Sequence, residues 1–559
     1  MPSYRPGIRD KLIGIFILIK VIPLIALAWF AWTEISNLSN TIEDQVNEMA
    51  RTSLETTTQV SALATSSSIR ALDLKAREAI ERLTTDTARA VASFLYDRDD
   101  DITLAAMLPV DETAYTRFME IHEREITIHE PWVLNEAGDA WQPGHDPAVD
   151  RGHETKYARN PDNELDFHYR PPDSGMIKEK IPLFLEITFV ELSGQETLKI
   201  TTSDLLPDDL RDVSKKENTY CRAETYFDEL KALAPGEIYV SEVIGAYVRT
   251  HMIGPYTRVT AQEKNVAFQP EQSGYAGKEN PVGKRFQGLI RWATPVVRDG
   301  GIIGYVTLAL DHTHIMEFTD HIMPTAERYT DISDAASGNY AFMWDFKGRN
   351  ISHPRDYFIV GYDPETGQPA IPWLDAKTYA EYIQSGMDVQ AFLPTLPERK
   401  DQALSIKPST ELVKQGYVAL DCRYLNFAPQ CDGWENVTED GGSGSFVIFW
   451  SGLLKLTTAG AIPYYTGQYG RDPQGFGFVT IGANVHEFHK AADTTAEKIK
   501  SVEKRYSASI NTQKQKNQET MMTSLQDTAR RMTYYTGIMV LVVIIIAIFM
   551  AAALTGRIT

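Results

Sequence analysis

Gly537 to Leu554 reads G-I-M-V-L-V-V-I-I-I-A-I-F-M-A-A-A-L, with no charge and with Tyr534-Tyr535 at its entry. As a helix, an apolar run of about 18 residues spans most of a bilayer's hydrocarbon core. A buried helix of a soluble protein is seldom so uniformly aliphatic, so this run fixes the class of chain. A second candidate, Leu12 to Trp32, reads L-I-G-I-F-I-L-I-K-V-I-P-L-I-A-L-A-W-F-A-W. At 1.5 Å per residue, its roughly 21 residues reach about 31 Å. Lys20 is its one charge and can snorkel or face a neighbouring helix. Trp29 and Trp32 suit the outer interface. A cleaved leader ending at Ala26-Leu27-Ala28 is disfavoured, because bulky Trp29 and Phe30 follow it and the apolar run continues.

The short flanks set orientation. Arg5, Arg9 and Lys11 precede the first run and Arg557 follows the second, which places both termini in the cytoplasm. The long region between is then extracytoplasmic. With 75 Asp+Glu against 55 Lys+Arg, the chain carries a formal charge of -20. That excludes a nucleic-acid binder, which needs a basic face, and disfavours a surface that clings to anionic lipid. The overall field suits a neutral or cationic small ligand. Of 3 cysteines, Cys422 and Cys431 lie in one polar, aromatic loop, either as a disulfide of an oxidising compartment or as two free thiols. A bridge closing so short a loop would contribute about 2–3 kcal/mol.

From Glu34 to about Leu95 no Pro or Gly interrupts the chain, and Ile35, Leu38, Ile42, Val46 and Met49 recur at helical steps. This stripe is either a face packed within the chain or the seam of a homodimer. Strand patterns follow. Trp132–Trp141 reads as a hairpin, as do Leu183–Glu191 with Thr197–Thr202, and Leu289–Val297 with Ile302–Leu310 around Arg298-Asp-Gly-Gly301. Ile238–Val248 is rich in β-branched residues, and Arg151–Lys178 is a polar loop. The pattern then recurs. Tyr340–Pro354 is a hairpin around Asp345–Gly348, Ser445–Tyr465 and Gly475–Val485 are late strands, and Ala376–Gly444 is a long polar insertion between them. A helix from Asn484 leads to the second apolar run.

Three stretches in this order resemble the double Cache sensors of bacterial transmembrane receptors. Thr85–Ala105 is similar to the helix that leads into the distal module. Ala293–Val306 is similar to the hairpin closing its sheet. Gly338–Gly361, with Gly348 and His353-Pro354, is similar to the entry of the proximal module. Thr555–Thr559 resembles the first residues of a HAMP linker, after which a cytoplasmic output domain is expected: a chemoreceptor signalling domain, histidine kinase, cyclase or phosphatase. The resemblance implies an α+β fold with a long N-terminal helix and two PAS-like antiparallel-sheet modules in tandem, flanked by two transmembrane helices. Its segments are a cytoplasmic tail at 1–11, a span at 12–32, a stalk helix at 33–95, a distal module at 96–320, a proximal module at 321–485, a second stalk at 486–536, a span at 537–554 and the linker start at 555–559. It implies a multi-pass protein of the inner membrane with a periplasmic or extracellular sensor, acting as a homodimer on a small-molecule ligand and needing no cofactor.

In a sensor the chemistry is recognition, and the family's pocket lies over the distal sheet. Arg291 and Trp292 are strand neighbours and face opposite sides. Asp311 ends the closing strand, where the family's amine-anchoring Asp lies, and would hold a ligand ammonium while an Arg or Tyr takes a carboxylate. Tyr239, Tyr247, Arg249 and Tyr305 complete the candidate set. The alternative is that these aromatics are core, that the arginines pair on the surface, and that Asp311 caps the helix beginning near His312. The family's compact Arg-x-Trp-Tyr signature for amino acids is absent, which counts against an amino-acid ligand. In the proximal module, Trp450–Tyr465 either lines a second pocket or packs as core.

Catalytic patterns fail on spacing. His486-Glu487-x-His489 is not a zincin motif, and Gly475-x-Gly477 lies in a strand rather than at a strand-to-helix turn. His312 and His314 read as surface residues, and no Gly-x-Ser-x-Gly elbow occurs. No metal site and no enzyme is expected in this stretch. A membrane-anchored hydrolase would require a nucleophile–base pair or metal cluster, and an adhesive ectodomain would lack a concave polar pocket. The orientation predicts that reporter fusions at Thr559 read as cytoplasmic and fusions inside Ala376–Gly444 as external. A cytoplasm-specific reporter active in the insertion would overturn it.

Overall fold

The protein's structure, a computed structural model, describes residues 7–128, 132–137, 141–143, 177–250, 253, 257–268, 285–322, 324, 337–398, 402–450, 452–488 and 490–555. The polar loop expected over Arg151–Lys178 lies outside them except at its last two residues. The expected linker start at Thr555–Thr559 and the orienting Arg5 and Arg557 also lie outside, apart from Thr555. The chain divides into two compact units, Met1–Asp73 with Lys490–Thr559, and Leu74–His489.

From the first unit a helix runs Ile8–Phe16, passes through a π-helical turn at Ile17–Val21, and continues as Ile22–Met107, whose part from Leu74 on belongs to the second unit. Pro23 has no N–H to donate, and a wider turn just before it accommodates that loss without ending the helix. The other helix is Lys490–Thr555. Both helices are long and apolar enough to cross a membrane. Ile15, Trp29 and Phe549 turn outward, as lipid-facing side chains do. Gln518 donates to Asn47 at 3.4 Å where the two helices run side by side. The N-terminal helix outruns the expected stalk end at Leu95 by a further stretch to Met107, because Tyr96–Met107 holds no helix breaker and Pro109 is the first.

In the second unit the strands are β1 (Glu123–Ile128), β2 (Trp132–Leu134), β3 (Trp141–Pro143), β4 (Ile177–Pro182), β5 (Phe184–Glu191), β6 (Glu196–Thr201), β7 (Tyr239–Val240), β8 (Ile244–Ala246), β9 (Gln287–Arg298), β10 (Gly301–Asp311), β11 (Tyr340–Asp345), β12 (Asn350–Ser352), β13 (Ser443–Trp450), β14 (Leu453–Ile462) and β15 (Gly477–Asn484). The first main sheet runs β6-β5-β10-β9-β7, with β8 also on β9, and the second runs β12-β11-β15-β14-β13. If β7 and β8 are counted as one broken strand, both sheets have the same order: second, first, fifth, fourth, third. All pairings are antiparallel. β1 pairs with β4 and β2 with β3 in two small ribbons.

One face of the Leu74–Met107 stretch backs both sheets. Val91, Leu95 and Ile102 share a core with Ile290, Trp292 and Leu308 of the first sheet and with Ala341, Met343 and Ile481 of the second. The Thr84 and Thr458 hydroxyls bond at 2.5 Å across this seam. The fronts of the two sheets therefore face away from the helix and are free to hold other things.

Several expectations are corrected. Ile238–Val248 is two short strands, and Ser445–Tyr465 is the β13–β14 hairpin turning near Gly452, whose φ of +79 only glycine adopts readily. The polar insertion Ala376–Gly444 carries helices at Ala376–Ser385, Val389–Phe392, Thr410–Gln415 and Gln430–Thr438. Asp375 and Ser409 cap two of these through their side chains. Leu374, Phe392, Leu412 and Tyr424 give the insertion its own small core. His312 and His314 are fully buried, at the joint where β10 passes into the Thr313–Asp320 helix that packs toward the second sheet. Cys422 and Cys431 are joined as a disulfide, and Cys221 is a buried thiol.

At the same joint, burial pushes the Asp356 carboxyl up to about 7, with Arg285 opposing and Asp320 adding to the rise. In the unfolded chain an Asp titrates near about 3.9. Between those values the folded chain holds a proton that the unfolded chain lacks, so stability falls as pH rises through this window. Asp356→Asn keeps a neutral group at every pH. It should flatten this part of the slope and stabilise the protein more at about pH 8 than at about pH 5, read from thermal melts of both forms.

Candidate ligand-binding cavity

On the front of the first sheet the cross-strand register sets Arg291 opposite Ala309 and Trp292 opposite Leu308. Arg291 is buried and its guanidinium is fully engaged. Its Nε donates to Glu224 at 2.6 Å, and its Nη1 donates to Glu186 at 2.6 Å and to the Thr307 hydroxyl at 3.1 Å. Lys199 extends the cluster, pairing with Glu196 at 2.6 Å and Glu186 at 3.8 Å. Burial opposes the Arg291 charge, but Glu224 and Glu186 outweigh it and hold the pKa well above its usual value. Burial and the neighbouring Glu186 raise that of Glu196, with Lys199 pulling the other way. The Arg291 guanidinium also lies 4.8 Å from the Tyr226 ring centroid. Tyr239 stands 6.5 Å from Tyr226, and Tyr305 meets Phe227 edge-on at 6.3 Å.

The structure thus gathers Arg291, Tyr239 and Tyr305 on one face, and fills that face with the chain's own carboxylates and rings. Trp292 points to the other side and donates to Asp99 at 2.8 Å. Asp311 ends β10 and accepts the Thr313 N–H at 2.9 Å, at the start of the following helix. Tyr247 and Arg249 lie elsewhere. The Tyr247 hydroxyl donates to the Gly416 carbonyl at 2.7 Å, and Arg249 donates to the Tyr417 hydroxyl at 2.9 Å.

The front of the second sheet is different. A cavity of about 390 Å³ opens over it, within the usual range for small-molecule sites. Period-two alternation puts Tyr340, Phe342 and Trp344 of β11 on this face. The register sets Gly482 of β15 between Tyr340 and Thr457 of β14. Glycine there leaves the floor low. Lys455 and Thr457 of β14, with Ile448 and Trp450 of β13, extend the floor.

The disulfide loop and the Gln430–Thr438 helix supply the opposite wall with Leu425, Gln430, Cys431 and Trp434. Trp434 is fixed by donating to the Thr457 hydroxyl at 3.0 Å. Trp344 packs 5.2 Å from Trp434, and Phe342 lies 5.5 Å from it. His353, Arg355, Phe358 and Trp373 close the remaining side.

The polar content of this cavity is sparse and one-signed. Lys455 is only 6% exposed and sits with its ammonium 5.0 Å from the Tyr340 ring centroid. The Arg355 guanidinium lies 5.5 Å from the Phe358 ring. Burial, then Arg355 and Lys455, hold His353 well below its usual pKa. Its Nδ1 accepts the Arg355 N–H at 2.9 Å, so the neutral ring carries its proton on Nε2. The Trp344 Nε1–H and the Gln430 Oε1 are buried without a hydrogen-bond partner among the described residues. No Asp or Glu lines the cavity among the described residues, and no cluster of metal-ligating side chains occurs among them.

Of these residues the sequence pointed only to the β14 segment and the cysteines. The alternation Tyr340-x-Phe342-x-Trp344 was the available signal for an aromatic floor.

No protein-family model and no curated protein matches the chain. Its structural neighbours are sensor and ligand-binding domains of receptors. A domain of a sensory box/GGDEF family protein from Vibrio parahaemolyticus is 12% identical over 76% of this chain and 100% of its own, with a TM-score of 0.32. The ligand-binding domain of Pseudomonas fluorescens chemoreceptor CtaA, in complex with L-isoleucine, is 10% identical over 75% and 94%, with a TM-score of 0.29. That of Pseudomonas aeruginosa PctB, in complex with L-Arg, is 11% identical over 74% and 96%, with a TM-score of 0.28.

The filled front of the first sheet predicts a structural role for Arg291. Arg291→Ala strands Glu186 and Glu224 in the interior and should cost about 3–5 kcal/mol, whereas Arg291→Met with Glu186→Gln and Glu224→Gln should recover much of it. Denaturant unfolding of the set measures both.

Proposed function

We propose that the chain is the sensing part of a transmembrane receptor, with two PAS-like modules held outside the cell between two membrane-spanning helices. The cavity over the second sheet carries this reading. It is concave, of ligand size, walled by aromatic rings and provided with a few convergent polar groups. The repeated strand order supports a duplicated PAS-like module, and the two apolar helices support anchorage at both ends of the sensor. A homodimer along the N-terminal stalk is part of the proposal, since Leu38 and Met49 of its heptad stripe are more than half exposed.

Catalysis is not part of it, because the chemistry gathered here is recognition. Against the sequence expectation, the ligand is assigned to the second module, because the Arg291 cluster occupies the equivalent space in the first.

A ligand at about a hundred times its Kd stabilises a receptor by about 2.7 kcal/mol. Thermal-shift screening of the full chain in nanodiscs against a set of small metabolites should therefore yield stabilising compounds. Ile448→Trp, which fills the cavity, should abolish their effect. Shifts that persist in Ile448→Trp would place the ligand elsewhere and overturn the assignment.

A further inference from the structure

Resting on the reading of this cavity as a ligand site, we propose that its ligand is a small carboxylate with a flat aromatic body, and that Lys455 holds the carboxylate. The body follows from the walls. Tyr340, Phe342, Trp344, Trp434 and Trp450 present ring faces and edges over a cavity of about 390 Å³, and such walls favour a planar guest that stacks or meets them edge-on.

The charge follows from the polar groups. An aromatic box is the usual host of a quaternary ammonium, but here the Lys455 ammonium repels one, and no carboxylate lines the cavity among the described residues. Lys455 is 6% exposed, and among the described residues it has no carboxylate within ion-pair distance, only the Tyr340 ring. An ammonium that keeps only part of its water and has no counter-ion among the described residues is poorly compensated, so an anion entering beside it gains a charge-assisted hydrogen bond.

The remaining donors agree. The Trp344 Nε1–H is buried without a partner among the described residues, and His353 presents an N–H rather than a lone pair, because its Nδ1 is occupied by the Arg355 amide. Gln430 Oε1 is the one unmet acceptor in the walls among the described residues, suited to a hydroxyl or ring N–H on the ligand body. The positive cavity stands inside a chain of net charge -20. Selection for an anion is therefore a local property of Lys455 and its surroundings, and the protein's overall field works against it.

The test uses three probes of one shape and different charge: 3-phenylpropanoate, 3-phenylpropanamide and 3-phenylpropylamine, titrated calorimetrically into the full chain in nanodiscs. The acid should bind at least about tenfold more tightly than the amide, a difference of about 1.4 kcal/mol, and the amine should not bind. Lys455→Met should bring the acid down to the amide's affinity, and Lys455→Arg should keep most of the preference. Trp450→Ala should weaken acid and amide by similar factors. An amide or amine that binds as well as the acid, or a preference for the acid that survives in Lys455→Met, would overturn the charge assignment and leave the cavity as a ligand site. If none of the three binds, the ligand class is wrong. The Ile448→Trp-sensitive shifts of the metabolite set then decide separately whether the cavity is a site at all.

Discussion

The carboxylate of Asp99 ties the Leu74–His489 unit together. It sits on the long helix and accepts three side-chain hydrogen bonds: from Trp292 of the first sheet at 2.8 Å, and from Tyr464 and Thr466, just beyond β14 of the second, at 2.7 and 2.5 Å. Burial raises its pKa, and those same hydrogen bonds pull it down. A half-satisfied carboxylate at this depth would be costly, so the three donors and the helix must arrive together. This fixes the backs of both sheets on one helix face, around Val91, Leu95 and Ile102. What differs between the modules is consequently on their fronts.

Both fronts are built on the same strand order, and each module solved the same packing problem differently. In the first, Arg291 and Lys199 meet Glu186, Glu196 and Glu224, and the space is used up by a network that satisfies itself. Such a network adds little stability over a hydrophobic filling, yet any broken member is severe. In the second, large rings stand around an unfilled volume, and the Lys455 charge that reaches it has no carboxylate within ion-pair distance among the described residues. A well-packed interior leaves few voids larger than a water molecule. A cavity of about 390 Å³ beside a Lys with no carboxylate partner among the described residues is the observation on which the proposed ligand site rests.

Most of the strand framework was legible because hairpins announce themselves twice, through alternation and through turn chemistry. Arg298-Asp-Gly-Gly301 and Asp345–Gly348 are read correctly for that reason. Strand periodicity also separated Arg291 from Trp292 onto opposite faces. It cannot say what stands in front of a face, and Arg291 looks the same in sequence whether it awaits a ligand or already holds Glu224, 67 positions away.

The insertion failed for another reason. Its helices are short, some packing on each other around Leu374, Phe392 and Leu412 and the last, with Cys431 and Trp434, on the second sheet, so no long periodic stripe marks them. His312 and His314 read as polar and therefore exposed, yet they are buried by a helix joint that exists only once both sheets are in place. The cavity was hidden for the same reason. Its walls come from β11, β14, the disulfide loop and the stretch around His353, which no local pattern links.

The position of Lys455 bears on how a bound molecule is felt by the rest of the chain. In the β14–β15 register Lys455 lies directly opposite Asn484. Asn484 is the last residue of β15, and its amide is held by the Asn339 side chain at 2.8 Å. The helical exit begins at the next residue, Val485. A group drawn to Lys455 therefore acts one strand away from the point where the sheet hands over to that helix. Adjacency alone transmits nothing, because a ligand shifts an equilibrium only by the difference in its affinity for the two states. The unpaired ammonium supplies the means for such a difference. If the two states differ in how far Lys455 stands from Trp344 and His353, an anion clamped between Lys455 and those ring N–H groups favours the closer one. The electrostatic gain then falls to that state alone, while the aromatic stacking, available in both, contributes affinity without signal.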